Sequence, residues 1–219
     1  MTVRQLTPSS TLAPVVRPAP AGPHTASRAL RQRIRQIRRN LSPFQQRHAA
    51  RLLRQRISRR GLFQGVRHIA FYLPNDGEIS TWPLLRHAWR QGKSCYLPVM
   101  HPLRPGHLMF IKVEPHTPLY RNRWGIHEPR IRTARLRKPQ QLDLVLVPLV
   151  AFDELGGRVG MGKGYYDRSF SFRRDKRGRP LLLGVAHEEQ KIAGNIQPAP
   201  WDVPMDAVVT PRAWYQRRI

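Results

Sequence analysis

The chain has 219 residues, 40% of them hydrophobic, which is enough for one well-filled core. No apolar run approaches the roughly 20 residues that cross a bilayer, and a single cysteine, Cys95, excludes an intramolecular disulfide, so the chain reads as soluble and cytoplasmic. Lys and Arg number 39 against 13 Asp and Glu, a formal charge of +26 that suits anionic ligands, small or polymeric.

Met1 to Ala26 is rich in Pro, Ser, Thr and Ala without hydrophobic period and reads as a disordered arm ahead of a single domain over 27–219. From Ser27 to Asn40, Leu30, Ile34 and Ile37 form one apolar stripe at helical spacing. Arg28, Arg31, Arg33, Arg35, Arg38 and Arg39 crowd the same stretch, and no acid stands anywhere from Met1 to Asn75. Two readings compete there: a nucleic-acid contact that releases counterions from a phosphate backbone, or a basic face on a protein with small anionic substrates. Ser42, Pro43 and Gln45 write the start of a second helix, with Ser42 as cap and Gln45 closing a capping box. Its apolar face is Ala49, Leu52, Leu53 and Ile57, and it ends near Gly61.

Alternating strands and helices follow. His68 to Pro74 is a strand, Thr81 to Gln91 a helix with Thr81 as cap and Gly92 past its end, and Ser94 to Met100 and Leu108 to Val113 are strands. Cys95 lies in the first of these last two and reads as a small core residue. Leu142 to Phe152 is a near-continuous apolar run of the kind parallel sheets bury. A helix around Tyr165 to Phe172, a strand over Leu181 to His187 and a short one over Asp206 to Pro211 complete the pattern, and the basic run Phe172 to Arg179 reads as a solvated turn. Such alternation predicts an α/β fold, a mostly parallel sheet sandwiched by helices.

The chemistry-bearing stretch is Gly156 to Asp167, GGRVGMGKGYYD. Gly156, Gly157, Gly160, Gly162 and Gly164 let backbone N–H groups approach an anion, and Arg158 and Lys163 add cations. Gly157 to Lys163 fits G-x-x-x-x-G-K, but Gly164 follows where a P-loop carries the Ser or Thr that holds magnesium. This is therefore a phosphate loop of another kind, and metal duty passes to carboxylates. Asp167, just beyond the loop, and Asp202, between prolines, are the candidates. Leu73 to Glu78, LPNDGE, puts two carboxylates on a loop after a strand, suited to an N–H-rich ring or simply to a turn.

Taken together, LRQRIRQIRRNLSP, FYLPNDGEISTWPLL, NRWGIHEP, LVPLVAFDELGGRVGMGKGYYDR, and GVAHEEQ followed by PWDVPMDAVVTP resemble the 5-formyltetrahydrofolate cyclo-ligases, or methenyltetrahydrofolate synthetases, of bacterial type. The resemblance runs from Leu30 almost to the C-terminus. It implies a fold of the NagB/RpiA/CoA-transferase type. It also implies magnesium-dependent conversion of 5-formyltetrahydrofolate, or its polyglutamylated forms, and ATP to 5,10-methenyltetrahydrofolate, ADP and phosphate. By that resemblance Arg158, Val159, Gly160, Met161, Gly162, Lys163, Gly164, Tyr165 and Tyr166 cradle the triphosphate, with Arg31 reaching back to it. Lys163 and Tyr165 stand at the reacting centre, and Asp167 and Asp202 hold magnesium. Leu73, Glu78, Trp124 and Tyr165 receive the folate. Many family members carry Lys or Arg four residues before Arg31, where this chain has Ser27; Arg28 is the adjacent substitute. The alternative is a catalytically lapsed member that binds nucleic acid through Arg28 to Arg60 or acts as a regulator.

Overall fold

The computed structural model describes residues 28–122, 125–131, 135–174 and 178–216. The arm Met1 to Ala26, Ser27 and Trp124 lie outside the described residues. No helix among the described residues is long and apolar enough to cross a membrane.

Two helices come first, α1 (Arg28–Arg39) and α2 (Pro43–Arg59). The start of α2 forms as its sequence dictates: Ser42 Oγ accepts from Gln45 N at 3.2 Å, and Ser42 N donates to Gln45 Oε1 at 2.8 Å. Then follow β1 (His68–Ala70), α3 (Trp82–Arg90), β2 (Ser94–Met100), β3 (Leu108–Val113), β4 (Leu119–Arg121), β5 (His127–Pro129) and β6 (Leu136–Arg137). The chain continues through β7 (Leu144–Pro148), β8 (Ala151–Phe152), β9 (Arg158–Val159), α4 (Tyr165–Ser169), β10 (Leu181–Val185), β11 (Ala207–Val209) and β12 (Trp214–Tyr215).

Eight strands form one sheet in the order β12-β11-β10-β7-β1-β2-β3-β6. Its centre, β11 to β2, is parallel, while β12, β3 and β6 join antiparallel at the two margins. Strand alternation divides the core by face. Ile69, Cys95, Leu97, Leu144, Leu146, Leu183 and Val185 meet Leu53 and Ile57 of α2 and Leu84, Leu85 and Ala88 of α3. Ala70, Tyr96, Val145, Val147 and Leu182 face the other way, onto Phe170, Val203 and Met205. Each of the larger of these side chains contributes about 1.5–3 kcal/mol by leaving water.

Between β1 and β7 the order reverses: the chain leaves β1 toward β2 on one side and continues from β7 toward β10 and β11 on the other. The loops after β1 and β7 therefore diverge and open a crevice at the carboxyl ends of the strands. Here α1 caps the structure, packing Ile34 against Val150, Ala151 and Val159.

Four sequence expectations change. The apolar run Leu142 to Phe152 is not one strand: after Pro148 it leaves the sheet, and β8 pairs with β9, with one isolated bridge from Phe152 to Lys191. The chain stays buried across the break because the Leu149 and Val150 carbonyls accept from Gln190 Nε2 at 2.7 and 2.9 Å, so side chains replace the ladder. Thr81 stands at the N-cap of α3 but makes no side-chain cap bond; its buried hydroxyl donates instead to the Tyr72 carbonyl. The helix after the glycine loop has only the five residues of α4 before a 3-10 turn. In the basic run, Arg173 is not solvated: it is buried, donates to Pro180 O at 3.0 Å and pairs with Asp206 at 3.0 Å.

Candidate active site

The crevice holds a cavity of about 880 Å³. Its lining brings together Leu73 and Glu78 from the loop after β1, Arg31 from α1, the whole stretch Arg158 to Asp167, and Asp202. Arg28 does not line it.

The five glycines do not act as one loop. Gly156 and Gly157 close the β8–β9 hairpin around the buried carboxylate of Asp153. Its Oδ1 accepts from Leu155 N at 2.9 Å and Gly157 N at 2.7 Å, and its Oδ2 from Ile196 N at 2.6 Å. A Cβ on Gly157 would sit 2.5 Å from that carboxylate, so the first two glycines build the turn, and Gly160, Gly162 and Gly164 line the cavity separately. Gly162 and Gly164 have φ of 84° and 62°, the left-handed region in which successive N–H groups converge. Arg31 Nε donates to Gly160 O at 3.0 Å and fastens the loop to α1. Arg168 donates to Lys163 O and, at 3.0 Å, to Gly106 O, fastening the other end. Lys163 itself is exposed toward solvent on the cavity lining. The Tyr165 hydroxyl donates to Met100 Sδ at 3.4 Å, while burial, reinforced by Glu78, pushes the Tyr166 phenol upward.

Asp167 Oδ1 accepts from Arg158 Nη2 and, at 3.1 Å, from Val203 N. Asp202 Oδ2 accepts from Ala199 N at 2.8 Å. Among the described residues no group of three or more His, Cys, Asp or Glu gathers as a metal site. Asp167 and Asp202 both line the cavity, and one or two carboxylates are the kind of protein ligand that magnesium takes.

On the other loop, Asn75 to Glu78 form a tight turn with Asp76 and Gly77 both at positive φ, 54° and 74°, closed by Glu78 N donating to Asn75 O at 3.0 Å. LPNDGE forms the turn, and of its two carboxylates Asp76 is held within that turn while Glu78 stands on the cavity lining. Asp76 is not available to a ligand, because Arg35, Arg38 and Arg39 all pair with it. Glu78 Oε2 accepts from Asn75 N at 3.1 Å, its Oε1 lies 3.7 Å from Arg38 Nη2, and its side chain is 14% exposed. Burial, only partly opposed by Arg38, raises its carboxyl to about 7.

Arg35 and Arg38 were placed by sequence only in the basic stretch, and Asp76 only as one of two loop carboxylates, with none given a place at the site. A signal existed: Arg31, Arg35 and Arg38 recur at i, i+4 and i+7, which aligns them on one helix face. That row faces the cavity loops, so these arginines have protein partners where a nucleic-acid contact was one of the two readings. The rims also include Asn122, Ile126, His127 and Glu128.

The sequence model of the 5-formyltetrahydrofolate cyclo-ligase family matches residues 23–211. The chain is 39% identical over 182 residues to the 5-formyltetrahydrofolate cyclo-ligase of Escherichia coli K12, covering 83% of this chain and 98% of that one. With the enzyme of the same name from Haemophilus influenzae it shares 38% identity over 176 residues, 80% and 92% of the two chains. Among solved structures, the 5,10-methenyltetrahydrofolate synthetase of Aquifex aeolicus superimposes with a TM-score of 0.72 at 30% identity, covering 87% of this chain and 92% of that one.

Proposed function

This chain belongs to the 5-formyltetrahydrofolate cyclo-ligase family, and from that premise we propose that it converts 5-formyltetrahydrofolate and ATP to 5,10-methenyltetrahydrofolate, ADP and phosphate. The observation that carries the reading is a single cavity lined both by a glycine loop with Arg31, Arg158 and Lys163 and by the half-enclosed carboxylate of Glu78.

The chemistry explains why both are needed. An amide oxygen is a poor leaving group. In the proposed sequence the formyl oxygen attacks the γ-phosphorus and ADP departs. N10 then adds to the activated formyl carbon, and the C–O bond breaks to release phosphate as N10 gives up its proton. The protein's share is positioning and charge neutralisation. Loop N–H groups from Gly160 to Gly164 cradle the phosphates, Lys163 meets the transferred group, and Arg31 and Arg158 offset the remaining charge. Glu78 accepts from the N–H groups of the pterin beside Leu73, with Tyr165 between the two ligands and Trp124 packing on the folate. Asp167 and Asp202 would hold magnesium, which supplies charge neutralisation on the β- and γ-phosphates.

The test is appearance of the methenyl product's near-ultraviolet absorbance from the 5-formyl compound with pure protein. Product is expected only with both ATP and magnesium, with Lys163→Ala lowering turnover on the order of a hundredfold or more. Absence of product at saturating ATP, magnesium and folate would overturn the proposal.

A further inference from the structure

Among the described residues Arg38 is the largest fully buried side chain, an unusual place for a guanidinium. Its donors are distributed over two elements. Nε donates to Asp76 O at 2.7 Å, Nη2 to Asp76 Oδ2 at 3.0 Å, and Nη1 to Leu149 O at 3.3 Å, where the chain leaves β7. The same Nη2 lies 3.7 Å from Glu78 Oε1. Gly77 packs so tightly on the end of α1 that a Cβ there would lie 2.9 Å from Arg38 O. Two turns earlier, Arg31 of the same helix holds Gly160 O in the phosphate loop.

We infer that Arg38 is a positioning residue for the reaction: through the Asp76 turn it fixes Glu78 at the folate end of the cavity, in register with the phosphate loop that Arg31 holds. The inference rests on the folate role given to Glu78 above. The geometry separates its effect from that of its neighbours. Arg35 and Arg39 grip only Asp76, and both are more exposed, at 32% and 47% of their side chains. Only Arg38 joins the turn to the end of β7 and also faces Glu78. The charged and titratable groups around Glu78 are Arg38 and Arg35 from α1, Asp76 of its own turn, Tyr72 after β1 and Tyr166 of α4. Arg38 is the foremost of the groups that favour the ionised carboxylate.

Arg38→Met tests this without stripping the fold of its other bonds. Asp76 keeps Arg35 and Arg39, and Leu149 O keeps Gln190. With the wild type first shown to turn over, the variant is expected to raise KM for 5-formyltetrahydrofolate about tenfold or more at pH 7.5 while KM for ATP stays within about twofold. The rising limb of kcat/KM for folate should move to higher pH, and Arg38→Lys should recover part of both effects. Unchanged folate KM and pH limb in a folded Arg38→Met protein would overturn the inference. So would equal rises in both KM values, the mark of general loosening. If Arg38→Met does not fold, Arg38→Lys alone decides: an unchanged pH limb overturns the inference. An inactive wild type would instead count against the cyclo-ligase reading itself.

Discussion

At Glu78, burial holds the carboxyl at about 7, against an ordinary value of 4.5. The folded protein thus keeps a proton that the unfolded chain releases. The resulting stabilisation is complete below about pH 4.5 and is lost as pH rises through 7. Glu78→Gln has no proton to lose. Its stability relative to wild type should improve between pH 5 and pH 8 by roughly 2 kcal/mol, read from urea unfolding at the two values. The same substitution should raise the folate KM, because an amide places an N–H where pterin donors require an acceptor. Equal stability differences at both pH values would show that the buried charge is not the cause. Cys95 gives the opposite case, a titratable group with no task. It is fully buried, its Sγ–H faces Lys93 O, and burial pushes its thiol up to about 12. Native protein should resist alkylation by iodoacetamide at pH 8 for as long as it stays folded, and lose no activity in the reagent.

Among the elements, α1 and the turn it grips carry more of the site than any strand. Gly77 sits at φ 74° against the Arg38 carbonyl, so Gly77→Ala combines strain with collision. It should cost roughly 1–3 kcal/mol and raise folate KM without altering that for ATP. Ser42→Ala removes one bond of the α2 capping box, at a residue that does not line the cavity. A loss of about 1 kcal/mol with unchanged folate and ATP KM values is expected, and a shift in either KM would tie α2 to the site. The two substitutions therefore separate a helix cap from the turn that shapes the pocket, although α2 itself meets that turn through Gln46 Nε2, which donates to Gly77 O at 3.2 Å and Arg38 O at 3.1 Å.

For the molecule as a whole, a formal charge of +26 acts in two directions. Self-repulsion weakens the folded state, while the same field draws anions to the crevice. Raising ionic strength from low to physiological values should therefore raise Tm and, in the same buffers, raise KM for ATP. Parallel movement of both toward tighter behaviour would argue against a field effect at the cavity. The sheet itself is held chiefly by apolar packing, on α2 and α3 over one face and on Phe170, Val203 and Met205 over the other.

Much of this was legible in residue order because its causes are local. The Ser42 box, the stripe on α1, the positions of β2 and β3, and the chemistry of Gly160 to Gly164 all follow from neighbours a few residues apart. Family resemblance named the residues of the cavity, but spacing alone left LPNDGE divided between a turn and a carboxylate site. Tertiary structure decided that Asp76 makes the turn and Glu78 faces the cavity, because α1 supplies arginines to one and only the far edge of Arg38 to the other. It also decided that Gly156 and Gly157 belong to a hairpin, since their reason is the Asp153 carboxylate, anchored in turn by Ile196. The break in the run Leu142 to Phe152 was hidden for the same cause. Apolar side chains record burial, and a strand that leaves its sheet while staying buried writes the same letters, its lost ladder replaced by Gln190 from about forty residues away.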